Sequence, residues 1–181
     1  MKKIILLLCT FWGSYLFAQN SSSEYKVNIA KIGLSSNSFY DGDDIVGLAG
    51  FSVGIDHALG RLGAFSINID RNKGYKQRRA TNIFYTDITV MTSVETDFRL
   101  YSLKGMRGLY AGIGVSYNHF AFKIGKETVD TQGVLGGGLK VGFQTNLNDK
   151  INLHFHTGLG LILDELAILK IPLGVQVGYR F

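Results

Sequence analysis

Two histidines spaced i and i+2, His154 and His156, are the first residues of this chain that invite a chemical reading. On an extended backbone residues two apart share a face, so two neutral imidazoles there can share a metal ion, with Glu95 or Asp97 as further ligands. A complete tetrahedral set at close spacing is lacking, so no metal and no cofactor are assigned. A second chemistry is ionic. Asp56, Glu95, Asp97, Arg99, Tyr110, Lys140, Lys170 and Arg180 fall on the same alternate face of their segments as the two histidines, and charges gathered in that number must pair with one another or with water. A third is anion binding. The run Arg71 to Arg79 holds five cations, Arg71, Lys73, Lys76, Arg78 and Arg79, of the kind that clamps phosphates. Nucleophilic catalysis finds little support: His119 and Thr157 stand on the opposite face of two different segments, with no adjacent serine and carboxylate. No catalytic residue is assigned.

The elements that must position these groups are strands. The final segment, Leu169 to Phe181, sets Leu169, Ile171, Leu173, Val175, Val177, Tyr179 and Phe181 on one face and Lys170, Gly174, Gln176, Gly178 and Arg180 on the other. Period-two alternation recurs in eight segments: about 25–34, 47–56, 62–70, 88–101, 109–120, 134–146, 151–163 and 169–181. In the first, Lys31 interrupts a Val27/Ile29 apolar face, which predicts a bulge or a boundary there. Short links fall near 58–61, 102–107 and 148–150, and longer polar loops near 35–44, 71–81 and 123–132. Pairing segments four and five with Arg99 near Tyr110 places Asp97 opposite Gly112 and Glu95 opposite Gly114. Pairing six and seven places Gln144 opposite His154, Gly142 opposite His156 and Lys140 opposite Gly158.

Composition restricts the setting. Lys2 and Lys3 precede an apolar stretch, Ile4 to Phe17, closed by Phe17-Ala18-Gln19; this is the pattern of a cleaved secretory signal with the cut after Ala18. It is interrupted by Thr10, Gly13 and Ser14 and is shorter than the ~20 apolar residues of a spanning helix. The residues before Cys9 are leucines, not the small residues of a lipidation site. Removing 1–18 takes away Cys9, Trp12 and two of the 19 basic residues, leaving 17 against 14 acidic ones, a net charge of +3. No disulfide framework is then available, and the charge is too mild to indicate nucleic acid. Residues 19–181 read as one domain, rich in glycine, with a single proline.

Parity alone does not say which face is inside. A soluble barrel would carry Lys and Glu across its outer face. Here the face opposite the large apolar residues is mostly Gly, Ser and Asn, which suits the narrow interior of an eight-stranded membrane barrel, where small residues make room for large ones. The expected fold is therefore an all-β, eight-stranded antiparallel transmembrane β-barrel with its apolar face toward lipid. Pro172 lacks the N–H a closed ladder needs and is expected at a bulge or near the outer rim.

Phe98-Arg99-Leu100-Tyr101 followed by Gly108-Leu109-Tyr110-Ala111-Gly112, together with the terminal Gly178-Tyr179-Arg180-Phe181, resembles the small OmpA/OmpX-type outer-membrane β-barrel superfamily. Within it, the chain is similar to an uncharacterised family of Gram-negative barrels with an Arg-x-Tyr and Gly-x-Tyr-x-Gly hairpin, a likeness covering nearly all of 19–181. The resemblance implies an outer-membrane location and insertion by the barrel assembly machinery through Tyr179 and Phe181; short links alternating with long loops over eight strands place both termini in the periplasm. It implies contact with outer-membrane lipid and no established reaction; the five charges Arg71, Lys73, Lys76, Arg78 and Arg79, in a long loop expected on the outer side, are expected to meet lipopolysaccharide phosphates. The function expected is a non-enzymatic envelope or surface-interaction barrel whose lumen is plugged by the polar network. A narrow small-solute channel and a lipid A-modifying barrel enzyme are the alternatives.

Overall fold

The computed structural model describes residues 27–41, 44–80, 83–124, 127–163 and 167–181; the expected signal segment and its cut lie outside them. Eight antiparallel strands close into a barrel in sequence order, β1 (Asn28–Asp41), β2 (Asp44–Ala58), β3 (Gly63–Ala80), β4 (Ile83–Leu103), β5 (Arg107–Ile124), β6 (Glu127–Asn146), β7 (Ile151–Leu163) and β8 (Ala167–Arg180), with β1 also paired to β8. This is the expected transmembrane barrel. Its surface is inverted relative to a soluble protein: Ile32, Leu34, Phe51, Ile113, Leu139, Leu159, Leu173, Val175 and Val177 are exposed, while Asp56, Arg99, Gln144 and Gln176 are fully buried. Lipid is the solvent that makes such a distribution stable, because closure satisfies the backbone and the outward side chains meet hydrocarbon.

Three tight turns join the strands at the end that carries the termini, as the short links predicted. The β4–β5 turn is the most constrained. Gly105, Met106 and Gly108 all have positive φ, and the ladder slips between Tyr101 and Leu103. Beyond the turn the register stands two residues from the sequence expectation: Tyr101 faces Tyr110, Arg99 faces Gly112 and Asp97 faces Gly114. An irregular turn carries no hydrophobic period from which such a shift could be read. The β6–β7 register is as expected, with Gln144 opposite His154, Gly142 opposite His156 and Lys140 opposite Gly158.

Three further expectations change. The polar stretches 35–44, 71–81 and 123–132 are largely strand, since β1 runs to Asp41, β3 to Ala80 and β5 to Ile124. Beyond the lipid neither face has to be apolar, so a solvated strand has the composition of a loop. Lys31 marks no bulge, because β1 pairs in unbroken register on both sides and Ile29, Lys31, Ser35, Asn37 and Phe39 all face inward. Pro172 sits at neither a bulge nor a rim. The β7–β8 ladder opens between the pairs Thr157/Leu173 and Gly160/Lys170 and resumes in the same register, with the Thr157 hydroxyl donating to the Pro172 carbonyl at 3.0 Å.

The strands are unequal. β3 to β6 have 18 to 21 residues and the other four 13 to 15. With a rise of ~3.3 Å per residue and a tilt near 40°, β7 covers on the order of 33 Å along the barrel axis and β4 on the order of 50 Å, against an apolar band of about 25 Å. The hairpins β3–β4 and β5–β6 therefore project beyond the wall at the end opposite the termini. There the described β6–β7 ladder ends at the pair Leu135/Leu163.

Candidate functional site

The inside of the barrel is filled in three layers. Nearest the termini, Ile29, Ala58, Ala64, Tyr101, Met106 and Tyr110 form an apolar cluster with Val27 packed against it. Toward the other end lies a second cluster of Phe39, Leu48, Met91, Val134 and Ile162, joined by Val46, Phe120 and Ile168, with Phe39 edge-on to Phe120 at 5.6 Å. Between them is a layer of charges and amides. Every strand contributes to it, because alternation sends each second side chain inward and glycine across the ladder leaves it room.

Arg99 on β4 is the hub. Its guanidinium donates from Nε and Nη2 to the Asp97 carboxylate on its own strand, the Nη2 bond at 2.9 Å, and from Nη1 to Asp56 on β2 at 3.2 Å. Asp56 also takes the ammonium of Lys31 from β1 at 2.6 Å. Lys140 on β6 binds Glu95 at 2.6 Å and Asp97 at 3.2 Å. Arg99 is therefore held by Asp97 and Asp56, while Glu95 belongs to Lys140. Planar, bidentate pairing is what a guanidinium does better than an ammonium, and a fully desolvated ion pair is stable only with such geometry and additional hydrogen bonds. Asn68 supplies one, donating to Asp97 at 3.5 Å.

Beside the ion pairs runs a column of rings. Tyr101 and Tyr110 lie 5.1 Å apart, Tyr110 stacks on His154 at 5.3 Å, and His154 lies 5.1 Å from His156. The Arg99 guanidinium carbon sits 5.1 Å over the Tyr110 ring, a cation–π geometry. Both ring nitrogens of His154 are engaged, Nδ1 with Gln176 Oε1 at 2.9 Å and Nε2 with the Tyr110 hydroxyl at 2.8 Å. The imidazole is thus locked into the wall rather than presenting a lone pair. Gly142 and Gly174 make the column possible: a Cβ at the first would meet the Tyr110 ring and at the second the His156 ring. Among the described residues no group of three His, Cys, Asp or Glu stands in metal-binding proximity.

A cavity of about 20 Å³, room for roughly one water, remains beside Gly114, Gly138 and Gly160, faced by Glu95, Lys140 and Lys170. Lys170 donates to Asn118 at 3.2 Å, and Asn118 also accepts from Ser93.

The predicted lumen residues divide accordingly. Asp56, Glu95, Asp97, Arg99, Tyr110, Lys140, His154, His156 and Lys170 face the interior. Arg180 is half-exposed at the terminus end, against the β4–β5 turn, and takes no part in the layer. Lys31, Asn68, Asn118, Gln144 and Gln176 belong to the interior as well. Lys31 was hidden by its apolar neighbours on the same face; the amides were legible only as inward parity. Arg71 and Lys73 are exposed on the outward face of β3, while the backbones of Lys76, Arg78 and Arg79 continue that strand opposite Asp87, Tyr85 and Phe84. Tyr179 and Phe181 are exposed on the apolar face. His119 and Thr157 face outward on β5 and β7, two strands apart.

The chain is similar in structure to Neisserial surface protein A, NspA, with a TM-score of 0.69 and 13% identity over 85% of this chain and 97% of that one. It is similar to Ail, the attachment invasion locus protein of Yersinia pestis, solved with the heparin analogue sucrose octasulfate, at a TM-score of 0.62 and 11% identity over 86% of this chain and 99% of that one. OprG of Pseudomonas aeruginosa matches at a TM-score of 0.54 and 9% identity, over 86% and 96%. The fold is that of the small outer-membrane barrels. No protein-family model matches the chain, and no curated sequence does.

Proposed function

We propose that this chain is a non-enzymatic outer-membrane barrel of a Gram-negative envelope, with a plugged lumen, its termini in the periplasm and its working surface outside. The observation that carries this reading is the three-layer filling of the interior. An ion moving along the axis would have to pass two apolar clusters and displace Arg99 from two carboxylates. Eight strands leave little room beyond their own side chains. The orientation follows from the turns, which are tight at the terminus end while β3 to β6 project at the other, as long elements do on the outer side of such barrels. The projecting part of β3 to β6 is the natural contact surface, since it extends beyond the wall at the end opposite the termini.

Lipopolysaccharide is the proposed lipid partner, through the basic side of β3 that begins with Arg71 and Lys73. The barrel assembly machinery is the proposed partner during insertion, through Tyr179 and Phe181. Deciding measurements are direct. The folded protein in planar bilayers should give no conductance; reproducible single-channel steps would replace this reading with that of a narrow channel. Lipid A mass spectra from cells with and without the protein should be identical, and a new acylation or deacylation product would make it an enzyme.

A further inference from the structure

On the outward faces of β3 and β5 the large apolar residues give way to basic ones at one registered row. Ile69, Val94, Tyr117 and Leu135 are cross-strand partners; one step further stand Arg71, Thr92, His119 and Gly133, again partnered in register. Arg71 and His119 are exposed and flank Thr92, one strand to either side. At ~4.8 Å between strands their backbones are about 10 Å apart, and an arginine on one side and an imidazole on the other can close on a group above the threonine. Gly133 ends the row for a specific reason: a Cβ there would fall on the Tyr117 hydroxyl, so the glycine lets that hydroxyl rise from the apolar row below into the polar one. Neither this row nor the next, Lys73, Val90, Ala121 and Thr131, contains a carboxylate.

We infer that the row Arg71, Thr92, His119 and the Tyr117 hydroxyl binds a phosphate monoester of a membrane glycolipid, held where headgroup meets hydrocarbon. The guanidinium, an imidazole N–H and the two hydroxyls can each donate to phosphate oxygens, and arginine matches those oxygens two at a time. The position on the wall selects a lipid over a soluble anion, because the row borders the belt that acyl chains cover. The inference deepens the lipopolysaccharide reading above and rests on its orientation, which puts this row in the outer leaflet.

The mature protein, refolded and loaded with bisphosphorylated lipid A, with the same lipid dephosphorylated, or with phosphatidylglycerol, should retain only the first through native mass spectrometry. Arg71→Ala/His119→Ala should weaken that retention about tenfold or more, the scale expected on losing hydrogen bonds to a charged group. Arg71→Lys should fall between, and Gly133→Ala, which displaces the Tyr117 hydroxyl, should weaken it too. Both exposed positions leave folding intact, so heat-modifiable migration checks that the variants are native. Equal retention of the dephosphorylated lipid, or an unchanged double variant, overturns the site; equal retention of phosphatidylglycerol overturns the glycolipid as its occupant. Maleimide labelling of Asp149→Cys in whole cells reads orientation separately: labelling without permeabilisation would reverse the barrel while leaving the phosphate result standing.

Discussion

The wall of this barrel has two faces that obey opposite rules, and one step along a strand passes between them. On β8, Val175 is 42% exposed and Gln176 is 0% exposed; the apolar residue meets lipid and the amide is bonded at both ends, to His154 and Ser52. The outer face is specified only by class, since any aliphatic group serves in hydrocarbon. The inner face is specified by identity, because each amide or charge answers a particular partner. Damage inside should therefore depend on which partner is stranded, and damage outside on depth in the membrane.

The largest effect is expected at Arg99. Arg99→Ala leaves Asp97 and Asp56 sharing two lysines in a desolvated interior, and breaking a buried pair costs about 3–5 kcal/mol. The urea midpoint of the barrel folded in vesicles should fall accordingly, with no conductance gained. Arg99→Ala/Asp97→Ala should recover part of the loss, since Asp56 keeps Lys31 and Lys140 keeps Glu95. A single variant that unfolds like wild type but passes ions would mean the charges line a path.

The two faces were also unequally legible in the sequence. Strict alternation in β5 and β8 gave away the outer surface, because lipid enforces one class of residue along the whole span. The inner surface changes character along its length. Ile29, Phe39, Leu48, Met91 and Ile162 all point inward, and in sequence they look like exceptions to a polar face. Read one strand at a time, Ile29 made Lys31 appear as an interruption; only the closed barrel shows an apolar layer with an ionic layer above it. Who pairs with Arg99 was equally beyond reach, because Asp56 lies 43 residues away and comes within 3.2 Å through barrel closure.

On the outer face, Val175→Arg places a cation in the apolar belt, at about 2–4 kcal/mol near the midplane, whereas Leu163→Arg at the end of β7 should cost about 0–1 kcal/mol. Folding yields into vesicles of defined thickness measure both. Equal yields would show that depth does not govern the outer surface.

Glycine gives a milder test, since the same substitution means different things on the two faces. Gly142→Ala drives a methyl into the Tyr110 ring and should lose about 1–3 kcal/mol by overpacking. At Gly47 on the outward face of β2 nothing stands within 4 Å of a new Cβ, so Gly47→Ala should leave the urea midpoint within error of wild type. A loss at Gly47 equal to that at Gly142 would place the crowding outside.

Tyr110→Phe carries the smallest expected effect and separates the two systems that share the interior. The ring remains, so its stack on His154 and the Arg99 guanidinium over its face are retained; only the hydroxyl that meets His154 Nε2 at 2.8 Å is removed. A buried hydrogen bond of this kind contributes about 1 kcal/mol net, somewhat more if the stranded nitrogen finds no other partner. His154 keeps its bond to Gln176 and so its orientation. A small drop in urea midpoint, additive with that of a distant outer-face variant, is the expected result. If the hydroxyl alone proved as costly as Arg99, the ring column rather than the ion pairs would be what holds the inner wall together, and the ranking of interior over exterior specificity would have to be rebuilt around aromatic packing.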